Sequence, residues 1–221
     1  MKDIIKKYKA TYGDDFSDFA KYNVAQLNDT HPTISILEFM RILVDEEKVE
    51  FNTALDIAKK FFNYTNHTIL AEALEKWPID YLEKAVPQLM PIIRELDNKV
   101  KAKYNDEKVY IIDNERRVHM AHMDIHYGYS VNGVAALHTD ILKEEELKPF
   151  YDIYPEKFNN KTNGITFRRW LLHCNNELAD YITELIGDGY KKDADKLEEL
   201  AKFVDNKEVL NKLGEIKKHN K

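Results

Sequence analysis

The 221-residue sequence predicts a helix-rich α/β fold with few, short strands. Three observations lead there. Apolar residues recur at helical spacing along most of the chain. Short runs suited to strands, such as Asn23 to Leu27 (NVAQL) and Tyr64 to Ile69, are separated by helical patterns, which is the alternation of an α/β protein. Clusters of Asn, Asp, Thr and His follow these runs, at strand ends where loops are available to ligands.

Ile4, Ile5 and Tyr8 mark a first short helix with no obvious partner surface, and TYGDDFSDFAKY then reads as a connecting loop. Asn23 to Leu27 is expected to be a short buried strand ending in NDTHP, with Pro32 in the first turn of the next helix. That helix, Thr33 to about Glu47, carries Ile36, Leu37, Met40, Leu43 and Val44 on one stripe. A second, Asn52 to Phe62, repeats the pattern before a short strand over Tyr64 to Ile69. From Ala71 to Tyr104 the chain reads as helix, started or bent at Pro78, Pro87 and Pro91. Val109 to Gly128 is the clearest β region, with a turn near Asp113 and Asn114. Val131 to Leu142 returns to helix. Asn175 is the N-cap expected for a helix over Asn176 to Ile186, which IGDGY ends. Two charged amphipathic helices complete Lys191 to Lys221. Four or five short strands among so many helices, some buried without evident neighbours, suggest a piece of something larger.

Composition narrows the function. With 33 basic and 39 acidic residues the net charge is −6, so neither nucleic acid nor an anionic membrane is an expected partner. Cys174 is the single cysteine, which excludes an internal disulfide and a cysteine-based zinc site and fits a reducing, cytoplasmic setting. No run of about 18 apolar residues or apolar signal core is present, so a soluble, unsecreted protein is expected.

Four polar-aromatic segments carry the most information: LNDTHP (Leu27 to Pro32), YTNHTILAEALEKWP (Tyr64 to Pro78), VNGVAALH (Val131 to His138) and NKTNGITFRRW (Asn160 to Trp170). Amides and carboxylates meet hydroxyls while aromatic faces cover C–H surface, so the mixture suits a neutral, hydroxyl-rich ligand such as a sugar. No residue set here performs bond-breaking by itself. Each segment also has an ordinary structural use. Asn28, Asp29 and Thr30 suit an Asx turn and N-cap, Asn163-Gly164 a tight turn, and Trp170 a core position.

In this order and spacing, LNDTHP, YTNHT, ALEKWP, VNGVA, NKTNGIT and RRWLL resemble the glycogen, starch and maltodextrin phosphorylase family of α-glucan phosphorylases, nearly end to end from DIIKKYK to KKHNK. The resemblance implies a chain several times longer, with two Rossmann-like domains of the GT-B type flanking a deep cleft. Residues 1–165 are then the later part of the N-terminal domain and 166–221 the helical start of the C-terminal one. It implies phosphorolysis of α-1,4-linked glucan to glucose 1-phosphate, with pyridoxal phosphate as cofactor of the whole enzyme. The cofactor lysine and the basic residues holding the substrate phosphate lie beyond Lys221 in that scheme. The 221 residues are therefore expected to be inactive and to bind no cofactor alone.

By the same resemblance Asp29 and His31 line the cleft beside the glucosyl position. His67 contacts the sugar hydroxymethyl group and turns its backbone carbonyl to the cleaved bond, where a dipole stabilises developing positive charge, and is the residue assigned to catalysis. Glu75 touches the glucan chain, Val134 is an apolar wall, Asn163 joins His67 at the hydroxymethyl group, and Trp170 lines the cofactor. Lys76 stands where many relatives carry Arg, losing a bidentate donor, and Phe167 replaces the usual proline. Lost neighbours should expose sheet edges and apolar patches, so a homo-oligomer is expected.

Two other classes compete. One is a free-standing carbohydrate-binding or regulatory protein from a truncated gene. The other is a metal-dependent hydrolase: if HMAHMDIH is a strand, His122, Asp124 and His126 share a face, with His119 three residues earlier. The resemblance implies no metal there, and none is assigned.

Overall fold

In the computed structural model, residues 1–70 and 74–221 are described and form two units, Met1–Asn163 and Gly164–Lys221. The first unit begins with α1 (Lys2–Tyr12) and the short α2 (Phe19–Tyr22). The expected connecting loop is therefore part of the core: Phe16 and Phe19 are buried in it, and Tyr8 meets Phe19 edge-on at 4.9 Å, giving α1 its partner surface. β1 (Ala25–Asn28) leads into α3 (Ile34–Arg41), which widens into a π-type turn over Ile42–Glu46, and then α4 (Phe51–Phe61) and β2 (Phe62–Thr65). Ile36, Leu37, Met40 and Leu43 are buried as the stripe predicts, while Val44 is half-buried at its margin. Phe19, Phe39, Phe61 and Phe62 form one aromatic cluster, with ring centroids 4.6 Å apart for Phe61–Phe62 and 5.0 Å for Phe39–Phe61.

β3 (Lys76–Pro78), α5 (Ile79–Ala85), α6 (Met90–Lys103), β4 (Arg117–His119) and α7 (Met120–Tyr127) follow. β5 (Val131–Gly133), α8 (Ala136–Ile141), α9 (Lys148–Ile153) and β6 (Phe158–Asn160) complete the unit. A four-stranded sheet has the order β1-β2-β5-β6, every pair parallel, so the strands step across it in chain order with helices between them. All four carboxyl ends therefore lie along one edge. β2 is central and buried at every position, whereas β1 is an edge strand that buries only Leu27.

Five expectations are corrected. From Met120 the HMAHMDIHY segment is helix α7, not strand, with only His119 in β4: Met120, Ala121, Met123, Asp124, Ile125, His126 and Tyr127 are all buried, so no polar face reveals the helical period, and alternating His and Asp imitate a strand. Val131–Gly133 is strand β5, with helix starting only at Ala136. Lys76–Pro78 pairs antiparallel with Arg117–His119 rather than continuing a helix, and the helix start expected at Ala71 lies outside the described residues. The strand expected from Tyr64 begins at Phe62 and stops at Thr65. The strand expected as buried over Asn23 to Leu27 is the half-exposed edge β1.

The second unit opens with a π-type turn, Arg168–His173, and contains α10 (Asn176–Ile186) and α11 (Lys207–His219). Asn175 caps α10 by accepting a hydrogen bond from the Leu178 N–H at 3.3 Å, and Gly187 ends it at φ +77°, a conformation glycine adopts without strain. The first of the two tail helices, Ala194–Phe203, winds as a 3-10 helix. Tyr190 is fully buried, with its hydroxyl donating to the Ala179 carbonyl at 2.8 Å. Among the described residues, no helix is long and apolar enough to cross a membrane.

Candidate functional site

Three of the sequence segments, and the part of the fourth up to Asn163, come together at the carboxyl edge of the parallel sheet. β1 delivers Asn28–His31, β2 delivers Asn66–Thr68, β5 delivers Val134 and β6 delivers Lys161–Asn163. Backbone bonds continue past the strand ends and tie the loops together. Asp29 N–H donates to the Thr65 carbonyl at 2.8 Å, Asn66 N–H to that of Asn132 at 2.9 Å, and Asn163 N–H to that of Val134 at 2.9 Å. Short strands followed by Asn, Asp and Thr behave this way because these side chains satisfy backbone groups where the ladder stops.

Asp29 is the hinge of the first loop. Its φ of 64° is in the left-handed region, which Asp tolerates better than most residues. One carboxylate oxygen accepts the Thr30 N–H at 2.8 Å and the other the His67 N–H at 3.3 Å, so Asp29 and His67 are held against each other across two strands. The His67 ring is exposed, with Nε2 3.4 Å from Asn28 Oδ1. Thr30 is buried and its hydroxyl donates to Glu75 Oε2 at 2.7 Å, bringing Glu75 to the same loop. Glu75 is fixed from behind, its carbonyl accepting the Met120 N–H at 3.1 Å at the start of α7. His31 is exposed two residues beyond Asp29, and Asn163 is exposed beside the half-buried Val134. Trp170, for which a core position was the alternative, is 62% exposed and belongs to the second unit.

Six further contributors were given no site role from sequence. Thr30 links Asp29 to Glu75. His138, from the first turns of α8, accepts the Val134 N–H on Nδ1 at 3.0 Å and places Nε2 3.1 Å from Asn66 Oδ1, bridging the second and third loops. Beneath them Gln26, Thr65 and Asn132 form a polar row across β1, β2 and β5, with contacts of 2.7 and 2.8 Å. Gly133 is required by close approach: a Cβ there would lie 2.4 Å from Thr139 Oγ1 and 3.0 Å from His138 Nδ1. The signal for His138 was its place at the end of VNGVAALH, five residues after Gly133.

The histidine cluster is structural. In α7, His122 and His126 share a face and Asp124 points elsewhere, to Thr33. His122 Nδ1 donates to the Tyr110 carbonyl at 2.6 Å, His126 Nε2 to that of Val109 at 2.8 Å, and His119 Nε2 meets Asp113 Oδ2 at 2.9 Å. Burial lowers His122 to a pKa of about 3 and His126 to about 4, so both rings are neutral at neutral pH. Among the described residues, no group of three or more His, Cys, Asp or Glu stands close enough to hold a metal ion.

This edge offers hydroxyl, amide and carboxylate groups around an apolar residue, a chemistry that recognises a polyhydroxylated ligand. A family model described as carbohydrate phosphorylase matches residues 1–221. The chain is 59% identical over 209 residues to the maltodextrin phosphorylase of Streptococcus pneumoniae serotype 4, covering 95% of this chain and 28% of that protein. It is 42% identical over 239 aligned positions to the liver form of human glycogen phosphorylase, and equally to the brain form of the rat, each covering 100% of this chain and 28% of the relative. The chain thus spans just over a quarter of the length of these relatives.

Proposed function

Because the chain belongs to the carbohydrate phosphorylase family, we propose that it forms one wall of the catalytic cleft of an α-glucan phosphorylase, which cleaves α-1,4-glucan with phosphate to release glucose 1-phosphate. The observation that carries this reading is the convergence of Asp29, His67, Glu75, Val134 and Asn163 on one sheet edge, linked by hydrogen bonds. Within it, Asp29 and Glu75 accept hydrogen bonds from glucan hydroxyls, His31 lines the cleft beside the glucosyl position, His67 and Asn163 hold the hydroxymethyl group, and Val134 covers an apolar sugar face. The His67 carbonyl opposes positive charge developing at the anomeric carbon. Residues 1–165 are the later part of the N-terminal domain and 166–221 the start of the C-terminal one.

Pyridoxal phosphate would supply general acid chemistry through its phosphate group in the whole enzyme. The residues present do not complete a site for it. Lys157, the lysine whose pKa burial lowers among the described residues, has its ammonium taken up by three backbone carbonyls, so it is no Schiff-base lysine. Trp170 is the one residue here assigned to the cofactor.

Positioning groups without the acid and the phosphate clamp do not make a catalyst. The pure chain is expected to release no glucose 1-phosphate from maltoheptaose and phosphate, and to show no resolvable heat with maltotetraose. Turnover would overturn the assignment as one wall only. Micromolar binding without turnover would favour a free-standing carbohydrate-binding protein.

A further inference from the structure

Thr33, in the loop entering α3, has one hydroxyl proton and two close oxygen neighbours. Its Oγ1 is 2.7 Å from the Thr30 carbonyl and 2.6 Å from Asp124 Oδ2. Both separations are ordinary O–H···O hydrogen-bond distances, and each needs a proton between the oxygens. A carbonyl only accepts, so the Thr33 proton closes the Thr30 turn. The second proton must come from the carboxyl group. We infer that Asp124 is a protonated carboxylic acid that donates to Thr33 and thereby positions the Asp29–His31 loop, a role that rests on the glucan-facing reading of Asp29 and Glu75.

Independent observations agree. Asp124 is 0% exposed and its Oδ1 has no hydrogen-bond partner, an arrangement a neutral acid tolerates far better than a carboxylate. The charged groups facing it are Asp29, from the β1–α3 loop, and Glu75, from the segment before β3, both of which oppose a third negative charge. Desolvation pushes the Asp124 carboxyl well above its ordinary value, in the same direction. The hydrogen-bond chain then has a consistent direction: Asp124 donates to Thr33, Thr33 to the Thr30 carbonyl, and the Thr30 hydroxyl to Glu75. A neutral Asp124 fastens the loop from below and adds no third negative charge beside Asp29 and Glu75.

Infrared difference spectra between this chain and D124N at neutral pH test the protonation state. A carboxylic C=O band above the amide band, absent from D124N, is expected; a carboxylate signature in its place would overturn the inference. Amide exchange at Thr30 and His67, both bonded to Asp29, tests the positioning role. Protection is expected to survive in D124N, whose amide also donates to Thr33, and to fall about tenfold in the similarly sized Asp124→Leu, which cannot donate. Equal loss in both variants would refute it. Neither readout uses a glucan, so failure of the glucan reading leaves both results interpretable.

Discussion

Acidification from about pH 6.5 to about pH 4 is expected to remove roughly 3 kcal/mol of folding stability through His126 alone, with His122 adding a comparable amount. The cause is a set of proton positions. Tyr104 O–H donates to the Tyr154 hydroxyl at 3.0 Å, Tyr154 lies 2.9 Å from His126 Nδ1, and His126 Nε2–H donates to the buried Val109 carbonyl at 2.8 Å. Nδ1 must therefore be bare to accept from Tyr154, and charging the ring would set N–H against O–H. His122 sits edge-on to Phe150 at 4.8 Å and beside the His119 ring at 4.2 Å, where a second cation is equally unwelcome. The folded pKa values, about 4 and about 3, lie below the ordinary value near 6.5. The unfolded chain consequently binds more protons in that window, so stability is complete above it and lost as pH falls. Asp124, raised by burial, slopes the other way, so the comparison must be made between variants. Urea melts at descending pH should show a shallower loss in His126→Gln than in the parent chain. Equal slopes would contradict this assignment.

Replacing Lys157 by Met is expected to cost about 3 kcal/mol, a large share of the stability of an ordinary domain. Its Nζ donates to the carbonyls of Ile125, His126 and Gly128 at 2.8, 3.2 and 2.9 Å, the oxygens that the end of α7 leaves without helical partners. Burial lowers its pKa to about 8, which still leaves it cationic at neutral pH. The residue precedes β6, so it also ties α7 to the strand that delivers Asn163. A lower denaturation midpoint with an unchanged m-value is the expected result, together with faster exchange of the Asn163 N–H bonded to Val134. A variant as stable as the parent would show that those carbonyls find other donors.

The candidate site was legible in sequence through its Asn-, Asp- and Thr-rich runs, although of the strands that deliver them only β1 and β2 were expected, β5 being read as helix and β6 not foreseen. Once β1, β2, β5 and β6 lie parallel in chain order, loops as distant as Asp29 and Asn163 must share an edge, and the Asn-, Asp- and Thr-rich runs mark those loops. Helices with one polar face were equally plain: the stripe from Ile36 to Leu43 is buried as expected. What was not legible lacks that contrast. α7 is buried on every side and shows no helical period. β3 and β4 pair over three residues each, some forty positions apart, with nothing local to announce it. Asp124 read as a metal ligand only because a strand had been assumed, and its partner Thr33 lies far back in the chain, beside the first loop.

Exchanging residues 1–221 for the matching span of the Streptococcus pneumoniae maltodextrin phosphorylase tests most directly whether these loops form a glucosyl-facing wall. The hybrid is expected to release glucose 1-phosphate from maltodextrin, and His67→Ala and Asn163→Ala within it should each lower kcat/KM by about tenfold or more. A folded hybrid that is inactive, or whose activity is indifferent to both substitutions, would contradict the account.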